Sequence, residues 1–187
     1  THVIARYWDD KRLQPDEVER YSVKSGLLIS QPGALDHGSE SDNIATLLEW
    51  AILDTNKENY LDAAIAMLTT EAKNEMIGLG EYDSLKDPAV GMEVYKSGRT
   101  SGITSGKITS TDLSIGIPYE VGTIRFVNQI AILPGILLPG DSGSAIVENR
   151  SLVGLGFAGS VSLSIASPMK KVFKEFGLTL HKKISPI

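Results

Sequence analysis

Pro139-Gly140-Asp141-Ser142-Gly143-Ser144 is the stretch on which the reading of this chain turns. It lies between two short apolar runs, 131–133 and 144–147, so it reads as a tight connection between strands. Glycines at 140 and 143 open backbone conformations closed to other residues and let a ligand approach the main chain. Such a turn gives Ser142 what a nucleophile needs: an exposed hydroxyl beside backbone N–H groups that can hold an oxyanion. The N–H groups of Gly140 and Ser142 are the expected pair. The same letters also suit a plain Gly/Asp/Ser hairpin turn, and the rest of the chain decides between the two.

Outward from that turn, the second half is a series of short runs at 93–96, 102–109, 123–127, 131–133, 144–147, 152–157 and 162–166. Each is bounded by Gly, Pro, Asn or Ser. Several short, turn-bounded runs point to an all-β barrel or sandwich. The end differs: Pro168 at a first helical position, then Val172, Phe173 and Phe176 with Gly177 after them, predicts a C-terminal helix. In the first half, Gln31-Pro32-Gly33 marks a turn. The stretch 44–54 fits a strand through alternating Ile44, Thr46, Leu48, Trp50 and Ile52, and fits a helix face through Leu47, Leu48 and Ala51; its turn-bounded setting favours the strand. Residues 71–87 read as polar loop, and a domain boundary falls before Pro88.

Composition narrows the partners. With 42% hydrophobic and 22% charged residues, the 187-residue chain is globular and long enough to bury a core. It has 18 basic against 23 acidic residues and no basic block, which argues against nucleic acid. The longest apolar stretch, 130–138, is broken by Pro134 and Gly135 and falls short of the roughly 20 residues of a membrane-spanning helix. Cysteine is absent, which excludes disulfides and thiolate metal sites. No cofactor or metal is expected.

Asp62 opens the apolar run Leu61-Asp62-Ala63-Ala64-Ile65-Ala66. A carboxylate beside a buried strand is costly unless it is paired. An imidazole is a suitable partner, which the aspartate would orient and whose cation it would stabilise. The bland alternative is a turn aspartate capping the preceding loop. Three histidines are candidates for the base: His2, His37 and His181. In the chain order His, Asp, Ser, His181 comes too late. His37 stands close enough to Asp62 to leave little room for intervening strands, whereas His2 leaves ample room, so His2 is preferred.

These segments resemble the chymotrypsin (trypsin-like) family of double-β-barrel serine proteases. Gly140-Asp141-Ser142-Gly143 is similar to its nucleophile motif, 59–66 to its aspartate motif, and Thr1-His2-Val3 to the end of its histidine motif. The family's downstream glycine falls at Gly154, followed by the strand that pairs with bound peptide. More narrowly, Gln31-Pro32-Gly33, Asp62-Ala63-Ala64-Ile65-Ala66, Gly98-Arg99-Thr100-Ser101-Gly102, Gly140-Asp141-Ser142-Gly143-Ser144 and Phe157-Ala158-Gly159-Ser160 resemble, in order, segments of bacterial trypsin-like proteins and the plant Narrow Leaf proteins. Ser144 departs from the family's commoner second glycine.

The resemblance implies an all-β double barrel with a C-terminal helix. Residues 1–87 would form an N-terminal barrel carrying His2 and Asp62, and residues 88–187 a C-terminal barrel carrying Ser142. It implies endopeptidase chemistry: His2, Asp62 and Ser142 as the triad, Gly140 and Ser142 N–H groups as the oxyanion hole, and Phe157, Ala158 and Gly159 pairing with a protein or peptide substrate. Ile136 occupies the position of the specificity-pocket floor, so an apolar or small side chain is expected there. The family places further strands before the histidine. Their expected source is a second chain or an N-terminal segment, the latter either cleaved before Thr1, by the protein itself or not, and retained non-covalently, or absent from this chain. Two other readings stand beside this one: a catalytically inactive trypsin-like binding module, and an N-terminal threonine nucleophile at Thr1. Arg99 is either an active-site contact or a solvated turn residue.

Overall fold

The computed structural model of the chain describes residues 26–33, 36–73 and 75–180. Strands dominate it. The first half contributes β1 (Leu28–Ser30), β2 (Asn43–Trp50), β3 (Glu58–Asn59), β4 (Ala64–Leu68), β5 (Glu75–Met76), β6 (Gly80–Glu81) and β7 (Ser84–Leu85). The second contributes β8 (Glu93–Gly98), β9 (Gly102–Tyr119), β10 (Gly122–Leu133), β11 (Ala145–Glu148), β12 (Ser151–Gly159) and β13 (Ser164–Pro168), then the helix α1 (Met169–Glu175).

The strand expected in 44–54 forms but ends at Trp50, leaving Ile52 beyond it and exposed. β2 is the centre of an antiparallel sheet β1-β2-β4 and buries Ala45 and Leu47 on one face. The second half closes on itself. Its strands run β8-β9-β10-β13-β12-β11, and β11 returns to β8 through Val147 opposite Tyr95. Closure removes the open edges that a flat sheet would present. Inward positions of these strands supply Val94, Ile108, Ile130, Ile132, Ile146 and Val153 to one apolar core. In β8 the same alternation that turns Val94 inward also turns Lys96 inward, where it is fully buried.

Two further features differ from the sequence expectation. The runs at 102–109, 123–127 and 131–133 are not separate short strands. They belong to one long hairpin of an 18-residue β9 and a 12-residue β10, whose tip closes at Tyr119 opposite Gly122. The alternation Leu113, Ile115, Ile117 and Tyr119 carries β9 through the stretch between two of the expected runs. These side chains pack on a second cluster built on Ile124, Phe126, Phe157 and Ile165. Residues 71–87 also hold the small β5–β6 hairpin and β7, which pairs with β12.

The segment leading to Asp62 is fastened to the barrel by side-chain amides. Asn59 Nδ2 donates to the carbonyls of Asp54, Lys57 and Arg125, while its Oδ1 accepts from Asp54 N–H. Gln129 Nε2 donates to Tyr60 O at 2.9 Å, and its Oε1 accepts from Ser167 Oγ at 3.0 Å. Leu61 and Ala63 pack with Val147, Leu152 and the α1 residues Met169 and Val172. Asp62 is thus delivered, 3% exposed, to the outer face of the C-terminal barrel.

Candidate active site

Ser142 sits on a turn that only these glycines allow. Gly140 and Gly143 have φ of +99° and +93°, a region that side chains with a Cβ avoid. A Cβ on Gly140 would lie 2.3 Å from Thr100 Oγ1. The turn is closed by Asp141 N–H to Leu138 O at 2.9 Å and Ser144 N–H to Asp141 O at 3.0 Å. Gly143 N–H to Gly156 O and Gly156 N–H to Ser144 O, at 2.8 and 2.9 Å, tie it to β12. The N–H groups of Gly140 and Ser142 have no acceptor among the described residues. Ser142 Oγ donates to the carbonyl of Phe157 at 3.2 Å.

Asp141, beside the serine, was given no role by the sequence reading, and it anchors the turn. It is 1% exposed. Its Oδ1 accepts from the N–H groups of Thr100 and Ser101 at 2.8 and 3.2 Å. Its Oδ2 accepts from Leu138 N–H at 3.0 Å, from the Ser101 hydroxyl, and from the buried ammonium of Lys96 at 3.1 Å. Lys96 spends its other donors on Ser101 Oγ and Gly102 O. Burial alone would raise the Asp141 carboxyl, but the Ser101 hydroxyl, the Leu138 and Thr100 N–H groups and Lys96 together hold it well below the usual carboxylate range. This explains Gly98-Arg99-Thr100-Ser101-Gly102: the segment wraps the carboxylate, and a Cβ on Gly98 would lie 2.5 Å from Asp141 Oδ1. A lysine at an inward position of an alternating strand was the available signal.

Asp62 Oδ2 accepts from the Tyr119 phenol at 2.7 Å, and its N–H donates to Ser167 Oγ at 3.4 Å. Burial, followed by the Asp62 charge and hydrogen bond, pushes the phenol far above its ordinary range. Tyr119 was also missed; its place in the period-two series ending at the β9 tip was the signal. His2 and Thr1 lie outside the described residues, as does His181. His37 is exposed on the turn after Gly33, with φ of +65°, and lines neither cavity that borders Ser142.

Those two cavities flank the serine. One, of about 580 Å3, is walled by Leu137, Leu138, Pro139, the Phe157–Gly159 edge of β12 and the hairpin tip from Ile117 to Glu120. Phe157, Ala158 and Gly159 therefore border the site, and Ile136 does not. Ser164 Oγ accepts from the N–H groups of both Ile136 and Leu137, at 2.7 and 2.9 Å, and Thr104 Oγ1 donates to Ile136 O. These bonds hold Ile136 in the core at 2% exposure, and the apolar wall is supplied by the next two residues. The other cavity, of about 660 Å3, runs past Arg99, Gly140 and Gly143. Arg99 forms a bidentate pair with Asp36 through Nε and Nη2, joining the turn after Gly33 to the β8–β9 turn that wraps Asp141. Among the described residues no cluster of His, Asp and Glu is disposed to hold a metal, and no helix is long and apolar enough to cross a membrane.

No family model and no curated protein matches the chain. Solved structures do. The chain is similar to a glutamic acid specific serine protease that uses a histidine triad in substrate binding (TM-score 0.60, 21% identity, over 78% of this chain and 76% of that one). It is also similar to Cellulomonas bogoriensis chymotrypsin (0.62, 18%, over 85% and 87%) and to Thermobifida fusca protease A (0.56, 19%, over 71% and 72%). At these identities the likeness is one of fold. The architecture is that of the chymotrypsin-like double-barrel proteases, with a C-terminal helix.

Proposed function

We propose that this protein is a serine endopeptidase working through Ser142, His2 and Asp62. Ser142 Oγ attacks a peptide carbonyl carbon and passes its proton to His2, while Asp62 orients the imidazole and stabilises its cation. The N–H groups of Gly140 and Ser142 receive the tetrahedral oxyanion. The intermediate collapses with a proton from His2 to the leaving amine, and water hydrolyses the acyl-enzyme by the same route. The observation that carries this reading is the serine turn: two glycines at positive φ, a hydroxyl at a cavity mouth, and two neighbouring N–H groups with no acceptor among the described residues.

Peptide would bind as an added strand along Phe157–Gly159. Beyond Gly156, β12 pairs with β13 on one side and with no strand on the other among the described residues. The Leu137, Leu138 and Pro139 wall favours an apolar residue at the cleaved bond, and cleavage profiling of a mixed peptide library tests this; a dominant preference for Lys or Arg would point instead to Glu120, which lines the same cavity. The decisive experiment is labelling with a fluorophosphonate, mapped by mass spectrometry. The expected adduct is on Ser142, lost in Ser142→Ala along with peptide hydrolysis. An adduct on Thr1 would favour the N-terminal nucleophile, and no adduct would favour an inactive binding module.

A further inference from the structure

The tip of the β9–β10 hairpin reaches out of the C-terminal barrel and touches the aspartate of the proposed triad. Tyr119 does two things there. Its hydroxyl donates to Asp62 Oδ2 at 2.7 Å. The residue also lines the cavity that opens on Ser142. The ring is also one end of an aromatic row: its centroid is 6.2 Å from Phe126, and Phe126 is 4.8 Å from Phe157, whose carbonyl accepts the Ser142 hydroxyl. One residue therefore meets the carboxylate and the substrate cavity and, through Phe126, is linked to the residue that supports the nucleophile.

We propose that Tyr119 is a positioning residue that fixes the Asp62 carboxylate for catalysis and couples it to the wall against which substrate binds. This rests on the catalytic reading above. A buried carboxylate must stay ionised and oriented to stabilise an imidazolium that forms only in the transition state. A carboxylate accepts several donors at once, so the phenol and an imidazole can share it. A neutral donor orients the anion without cancelling its charge. Because Tyr119 closes the hairpin beside Ile117 and Pro118, which line the same cavity, substrate packed there bears on the residue that holds Asp62.

The test uses the full chain, with fluorophosphonate acylation of Ser142 and peptide turnover as readouts. Tyr119→Phe keeps the ring and loses the hydroxyl. It should lower the acylation rate and kcat about tenfold, as expected for a lost bond to a charged group, with KM held within about twofold. Tyr119→Ala removes the cavity wall as well and should raise KM. In an Asp62→Asn background, Tyr119→Phe should bring no further tenfold loss, because its effect runs through the carboxylate. Labelled wild type with an unchanged Tyr119→Phe rate would overturn the proposal and leave the catalytic reading standing. So would equal Tyr119→Phe losses with and without Asp62. An unlabelled wild type would sink the catalytic reading itself, and this proposal with it.

Discussion

Asp141 and Asp62 are both carboxylates withdrawn from water, one inside the C-terminal barrel and one where the 58–63 segment crosses its outer face, and different donors hold them. Asp141 has a permanent cation, Lys96, plus three N–H groups and a hydroxyl. Asp62 counts among its partners the neutral phenol of Tyr119. A buried ion pair with every lone pair engaged makes a rigid anchor, and it leaves no charge available for anything that arrives later. The phenol is neutral, so it orients the Asp62 carboxylate without offsetting its charge. The barrel interior thus carries an aspartate built to hold the serine turn, and the outer face carries one suited, in the proposed mechanism, to serve a histidine.

The largest expected effect separates the two by activity. Asp62→Asn should slow turnover by roughly 10,000-fold, because the amide favours the wrong imidazole tautomer. Denaturation should find the fold intact. Asp141→Ala should show the reverse emphasis. Removing one member of a buried pair strands the Lys96 ammonium and destabilises by about 3–5 kcal/mol. Adding Lys96→Met should restore much of that stability without restoring the serine turn. If Asp62→Asn proves the more damaging to stability, the division of labour is wrong.

A smaller effect concerns the fastening of the 58–63 segment. Asn59 is 6% exposed and all of its amide contacts are local carbonyl and N–H groups of the loop and β10. Asn59→Ala leaves several of these unsatisfied and should cost about 1–3 kcal/mol in chemical denaturation. Turnover should fall with it, since Asp62 lies three residues further on. A stable Asn59→Ala with full turnover would show that Gln129 and the Leu61 and Ala63 packing suffice to place the aspartate.

Much of this was legible in the sequence, and the limits are physical. Turn-bounded runs gave the all-β class because strand ends carry Gly, Pro, Asn and Ser for backbone reasons. The serine turn was readable because few residues besides glycine tolerate φ near +90°. What the sequence hid was partnership at a distance. Lys96 and Asp141 are far apart in the chain, and only the register of β8 and the fold of the serine loop bring them together. Tyr119 was hidden in another way: Gly116 and Pro118 interrupt its strand with residues that read as turn, so the period-two series through Leu113, Ile115 and Ile117 was cut short. Ile136 shows a third limit. A position counted from the nucleophile ignores how the loop is pinned, and Ser164 pins this one so that Leu137 and Leu138 take the cavity wall instead.

The smallest expected effect is on pH dependence, and it tests the Asp141 side of the comparison by itself. An aspartate in the unfolded chain titrates near 3.9. In the fold, Asp141 is held well below that by Ser101, the backbone N–H groups and Lys96, against the opposing pull of burial. Between those two values the unfolded state binds more protons, so stability rises with pH. The contribution is complete above about pH 5 and is lost as pH falls through the unfolded value toward the folded one. Asp36, Asp42 and Asp54 are also lowered by their partners, so wild type alone would show a composite acid limb. Comparison with Lys96→Met/Asp141→Asn cancels those groups, since both proteins retain them. The stability difference between the two, measured by denaturation at each pH, should change in the double variant's favour by about 1 kcal/mol between pH 5 and pH 3. A difference that stays constant over that interval would mean that Asp141 is held by shape and hydrogen bonding whatever its charge, and the contrast with Asp62 would lose its electrostatic basis.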